Sequence, residues 1–175
     1  MWYIRAAGIG ASSGLVAGLL WGMGLRLAMR IMALVGGQTP EFTLEGTLLI
    51  LLVGTFIGIP AGLLFVAIRK YLPGSGGWKG LVFGLLVVLV LGYPFYAGPL
   101  KDEAVPGYEI QAFMMFEGLL AGFGMAVAAV AGRLEQYIPP VGRSRFSTAL
   151  SAGTLAVPCS IEALIVALMI LKPFE

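Results

Sequence analysis

The chain has 175 residues, of which 59% are hydrophobic and only 11% charged, and its net charge is +2. Soluble domains carry about 25% charged residues, so the composition excludes an ordinary soluble fold and predicts one membrane domain over 1–175. With no histidine and a single cysteine, Cys159, it also argues against imidazole or thiolate metal sites, haem ligation and Ser-His or Cys-His nucleophiles.

The first predicted span covers about 6–34. Its Gly10, Gly14, Gly18 and Gly22 recur every four residues, and the row runs on into Arg26 and Arg30. Small residues at this spacing let helices approach closely in lipid, where packing and hydrogen bonds replace the hydrophobic effect. The apolar run is longer than the ~7–15 residues of a secretory signal core, so it is read as a retained helix.

The second span, about 44–69, repeats the pattern with Gly54, Gly58 and Gly62. Thr39, Pro40 and Glu41 suit a helix start, Arg69 and Lys70 a helix end, and Pro73-Gly74 a turn. Pro60 falls inside the span, where neighbouring groups can satisfy the freed carbonyl. The third span, about 79–98, carries Gly80, Gly84 and Gly92 with Val88 between them, and Pro94 and Pro99 are expected to kink it or end it early.

The fourth span, about 109–132, carries Gly118, Gly122 and Ala126, and it holds Glu117 on one face with Ala121, Gly124 and Ala128. The fifth, about 147–171, carries a polar row through Ser147, Ser151, Thr154, Pro158 and Glu162, with Cys159 beside it. Each span has the ~20 residues that cross a ~30 Å hydrocarbon core. The predicted fold is therefore all-α, a polytopic membrane protein forming a compact bundle of five transmembrane helices.

Gly14 to Leu20 resembles Gly80 to Leu86, and Tyr71-Leu72-Pro73 resembles Tyr137-Ile138-Pro139, both at an offset of 66 residues. Two tandem helical hairpins plus one helix would explain the resemblance, as would the chance likeness of Gly- and Leu-rich spans. Arg5, Arg69, Lys70, Lys79, Arg133, Arg143 and Arg145 fall on one side of the predicted topology. The positive-inside rule then puts the amino terminus in the cytoplasm and the carboxyl terminus outside a bacterial-type inner membrane.

Charges at membrane depth usually face the interior and pair. Arg26, Arg30 and Glu117 lie at similar depth and form a candidate ion-pair or anion site, with headgroup snorkelling as the alternative for the arginines. Glu162, Ser151 and Thr154 form a candidate proton-handling or helix-joining stripe. Gly10, Gly14, Gly18, Gly22, Gly54, Gly58 and Gly62 are expected to pack helices as a glycine zipper. No catalytic motif, metal site or cofactor site is present in the sequence, and no nucleic-acid surface is expected. The leading expectation is a non-enzymatic packing or accessory subunit of a membrane assembly, whose partners are the lipid bilayer and other subunits or copies of itself. The alternative is a small oligomeric transporter or channel for an anionic solute, with glutamate-based proton coupling.

Overall fold

A computed structural model describes residues 2–39, 43–92 and 107–138. These residues form four helices: α1 (Trp2–Val35), α2 (Leu44–Ile68), α3 (Gly77–Val87) and α4 (Glu109–Tyr137). Three of them, α1, α2 and α4, are long and apolar enough to cross a membrane. The predicted third span is represented by α3 and a π-helical turn, Val88–Gly92, that continues it. Residues 93–98 of that span, and the whole predicted fifth span with Ser151, Thr154 and Glu162, lie outside the described residues.

Backbone-to-backbone contact joins α1 to α2. A Cβ built on Gly14 would fall on the Gly58 carbonyl oxygen, and one built on Gly18 would fall on that of Gly54. The pairing continues at both ends: built Cβ atoms on Gly10 and Gly22 would stand 3.0 Å from the Gly62 oxygen and 3.1 Å from the Ile50 oxygen. Each step of four residues up α1 is thus a step of four down α2, which makes the pair antiparallel. Pro60 sits within α2 without ending it, and its side chain is exposed.

The same contact recurs between α3 and α4. A Cβ on Gly80 would stand 2.8 Å from the Gly124 oxygen, and one on Gly84 would meet the Ala121 backbone at 2.9 Å. Gly80 and Gly124 are Gly14 and Gly58 advanced by 66 residues each, so the offset seen in the sequence also relates two packing contacts. The likeness loosens at Gly84, which meets Ala121 where the offset would put Leu120, and it ends at Val88, which takes the place corresponding to Gly22. There the valine interrupts the glycine row, and the π-helical turn begins at that residue.

The two hairpins meet chiefly through α1 and α4. Trp21 lies edge-on to Phe116 and Phe123 of α4, with centroids 6.0 and 6.3 Å apart, and Leu120 and Val127 complete a buried layer. Phe65 of α2 and Phe83 of α3 cross edge-on at 5.2 Å and close the bundle on its other side. Between α2 and α3 the chain turns through Gly74 and Gly76, whose φ angles of 88° and 46° are readily adopted only without a side chain.

Helix α2 begins at Leu44 with Thr43 as its cap residue, four positions after Thr39. Thr43 makes no side-chain cap hydrogen bond, although its carbonyl accepts from the Thr47 amide at 3.2 Å and hydroxyl at 3.0 Å. Pro40 and Glu41 lie outside the described residues.

Candidate functional site

At ~1.5 Å rise per residue, Arg5 and Arg26 are about 31 Å apart along α1, close to the thickness of a hydrocarbon core. Polar chemistry gathers at these two levels.

At the first level, cations cap the carboxyl ends of helices, where unsatisfied carbonyls carry partial negative charge. Arg5 Nε donates to the Ile138 carbonyl at 3.0 Å, and its Nη2 donates to the same oxygen at 2.6 Å and to the Glu135 carbonyl at 3.2 Å. Arg69, at the end of α2, forms a salt bridge with the Glu135 carboxylate. Lys79, early in α3, donates to the Arg69 carbonyl at 3.1 Å. Four helix ends are thereby tied into one clasp. Sequence reasoning placed Arg5, Arg69 and Lys79 on one side but passed over Glu135, the acid standing among them; its position 66 residues after Arg69 was the available signal.

At the opposite level, a cavity of about 670 Å³ opens between α1 and α2. Arg26, Arg30, Gln38, Thr39 and Thr47 bring polar groups to it, and Met23, Leu27, Met29 and Leu51 supply apolar wall. Both arginines reach it because they continue the glycine row that faces α2. Gly46 stands opposite Arg26 in that register, and a Cβ built there would lie 3.7 and 3.8 Å from the two guanidinium Nη atoms. Those are ordinary contact distances, and the close approach at Gly46 is to the Thr43 hydroxyl, 2.8 Å from the built Cβ.

Glu117 is placed elsewhere. Its carboxylate oxygens are buried and have no hydrogen-bond partner among the described residues. They lie against Gly92 at the end of the π-helical turn, where a Cβ would stand 2.8 Å from Oε2 and 2.9 Å from Cδ. The expected direct Arg26–Glu117 pairing is not made. The reason is azimuth: Gly24 turns toward Leu119 of α4, while Arg26, 200° further round a helix advancing 100° per residue, turns toward α2. Matched depth fixed the height of both groups but not their faces.

The structure thus brings Arg26 and Arg30 together and leaves Glu117 outside their cavity. No group of His, Cys, Asp and Glu able to hold a metal ion occurs among the described residues. Compared with known proteins, the chain matches no family model, no curated protein and no solved structure. The two arginines, with neighbouring amide and hydroxyl groups and an apolar wall, have the chemistry to receive a carboxylate or phosphate: guanidinium forks match such anions, often bidentately.

Proposed function

We propose that the protein is a non-enzymatic integral membrane protein that binds an anionic group in the Arg26–Arg30 cavity. The observation that carries this reading is the convergence of both arginines on one opening at the end of the α1–α2 hairpin. The glycine zipper between those helices supports it by giving the site a stiff base, since packed backbones leave the arginine-bearing turn little room to rotate. The full bundle has five spans, with an amino terminus in the cytoplasm and the cavity toward the outside of a bacterial-type inner membrane. The clasp of Arg5, Arg69 and Lys79 at the opposite level supports that orientation through the positive-inside rule. Glu117 lines no part of the cavity, so the role is binding, without proton coupling through that residue.

The protein in mild detergent, heated in the presence of inorganic phosphate or of a short-chain anionic phospholipid, tests this. A ligand that binds the folded state raises its stability in proportion to ln(1 + [L]/Kd). We expect a concentration-dependent rise in melting temperature with at least one of these anions and none with a zwitterionic lipid. Arg26→Gln combined with Arg30→Gln should abolish the rise. An unchanged wild-type transition, or an equal shift in the double variant, would remove the reading.

A second reading, the packing or accessory subunit of a membrane assembly, draws on the outward faces. Leu20 and Leu34 of α1 and Phe56 and Leu64 of α2 are exposed, as suits lipid or apolar membrane partners. A stoichiometric partner retained through mild-detergent purification supports it, and a monomer that keeps full stability and recruits nothing counts against it.

A further inference from the structure

The Arg26–Arg30 cavity is open along its side as well as at its end. Met23 and Leu27 line it, yet they are 61% and 60% exposed, so this apolar wall also faces the hydrocarbon around the bundle. Val16 and Leu20, both exposed, extend the wall back along α1. At 3.6 residues per turn these four side chains fall within an arc of about 60° and form one continuous strip. Arg26 and Arg30 border it on the side of the glycine row.

The strip has the length of one leaflet. From Leu27 back to Val16 is about 17 Å at ~1.5 Å per residue, and half of a ~30 Å hydrocarbon core is about 15 Å. Its depth agrees, since Val16 stands 11 residues after Arg5 and 10 before Arg26, midway between the two polar levels. The strip thus runs from the cavity to the middle of the bilayer.

The size and lining of the cavity argue for an amphiphile over a small free anion. Its volume of about 670 Å³ falls within the ~300–1,000 Å³ of pockets that hold drug-sized ligands, and a bare phosphate would leave Met23 and Leu27 unmatched. Among the described residues, the lining carries two guanidinium groups and no carboxylate, and Gln38, Thr39 and Thr47 add an amide and two hydroxyls. Guanidinium forks suit a phosphate, and the neutral polar groups suit the ester and hydroxyl oxygens beside it.

We propose that the occupant is an anionic glycerophospholipid that enters sideways from the bilayer, with its phosphate on Arg26 and Arg30 and one acyl chain along the Leu27–Val16 strip. The proposal rests on the anion-binding reading and adds to it the class of ligand and the direction of entry. An acyl chain gains little by exchanging other chains for this strip, because both surroundings are equally apolar. Affinity therefore comes from the headgroup, and the strip acts by letting the headgroup reach the arginines while the chain stays in hydrocarbon.

Native mass spectrometry of the full chain, released from lipid nanodiscs holding equal phosphatidylglycerol and phosphatidylcholine, tests this. Phosphatidylglycerol should be retained over phosphatidylcholine by roughly tenfold or more, the factor that one charge-assisted hydrogen bond supplies. Arg26→Gln combined with Arg30→Gln should remove the preference. Leu27→Trp keeps the wall apolar but fills the open side, and it should reduce phosphatidylglycerol retention several-fold; Met23→Trp does the same at the next position if the first variant fails to fold. Equal retention of the two lipids by the wild type would overturn the proposal. So would undiminished retention in the arginine or the tryptophan variants, which would put the lipid elsewhere. A melting temperature raised by inorganic phosphate through the arginines, without any lipid preference, removes the lipid and leaves the anion-binding reading standing, whereas no response to either anion removes both.

Discussion

The two hairpins begin from the same contact and diverge. Gly14 on Gly58 and Gly80 on Gly124 are equivalent under the 66-residue offset, yet the α1–α2 register continues unbroken from Gly10 to Arg26 while the α3–α4 register has shifted by one residue at Gly84, which meets Ala121, and the π-helical turn follows from Val88. A valine in a glycine row keeps backbones apart, and beyond it the second hairpin winds into a π-helical turn before Gly92 meets the Glu117 carboxylate. The first hairpin places two arginines on a cavity at its far end. The corresponding level of the second receives a buried acid. One repeated packing rule, interrupted once, thus leads to an arginine-lined cavity in one hairpin and a buried carboxyl group in the other.

The comparison breaks most severely if the unbroken register is overfilled. Gly14→Leu would drive a side chain into the Gly58 carbonyl, where only backbone can yield, and we expect a loss of about 3 kcal/mol or more, read as a lowered unfolding transition in detergent. Glu117→Gln tests the second hairpin. The substitution replaces a buried carboxyl group that has no hydrogen-bond partner among the described residues with an amide of the same shape, so a change of no more than about 1 kcal/mol is expected; a larger loss would show that the carboxyl group is engaged. Val88→Gly restores the row of the first hairpin in the second. Helical glycine costs about 1 kcal/mol, and closer approach of α3 to α4 should offset part of this, with slower amide exchange across Val88–Gly92 as the readout. The smallest effect belongs to the link between the hairpins: Arg69→Gln removes a salt bridge whose side chains are 30% and 32% exposed. Such a pair contributes at most about 1 kcal/mol, and raised salt should diminish the difference from wild type.

Much of this was legible from one property, the placement of glycine among apolar residues. Two of the three long apolar helices, α1 and α2, follow from uncharged stretches of spanning length, α4 from an apolar stretch interrupted by Glu117, and the four-residue spacing marks the faces along which backbones can approach. Arg26 and Arg30 were identifiable as a pair because they continue such a row. The partner of each face was not legible. Arg26 and Glu117 matched in depth and charge, but nothing local says that Arg26 turns to α2 and Glu117 to the second hairpin. Trp21 also gave no sign of its place between Phe116 and Phe123, since an aromatic residue within an apolar span suits core and lipid equally. The π-helical turn had a signal in Val88, the break in a glycine row, though the sequence did not reveal what backbone geometry the break would produce.

The Arg5 clasp imposes an order in time on assembly. The guanidinium belongs to the beginning of α1, whereas the Ile138 carbonyl that it grips comes 133 residues later. At elongation rates of roughly 5–20 residues per second, about 7–27 s separates the synthesis of the two. The α1–α2 pair needs only the chain up to Gly62 for its glycine contacts, so it can close in the bilayer while later residues are still being made. Arg5 must wait in the headgroup region, hydrated, until the last turn of α4 arrives. The clasp therefore reports that both hairpins have been inserted, and a ribosome-bound chain stalled before Ile138 should expose Arg5 to a water-soluble guanidine-modifying reagent from which the finished protein shields it.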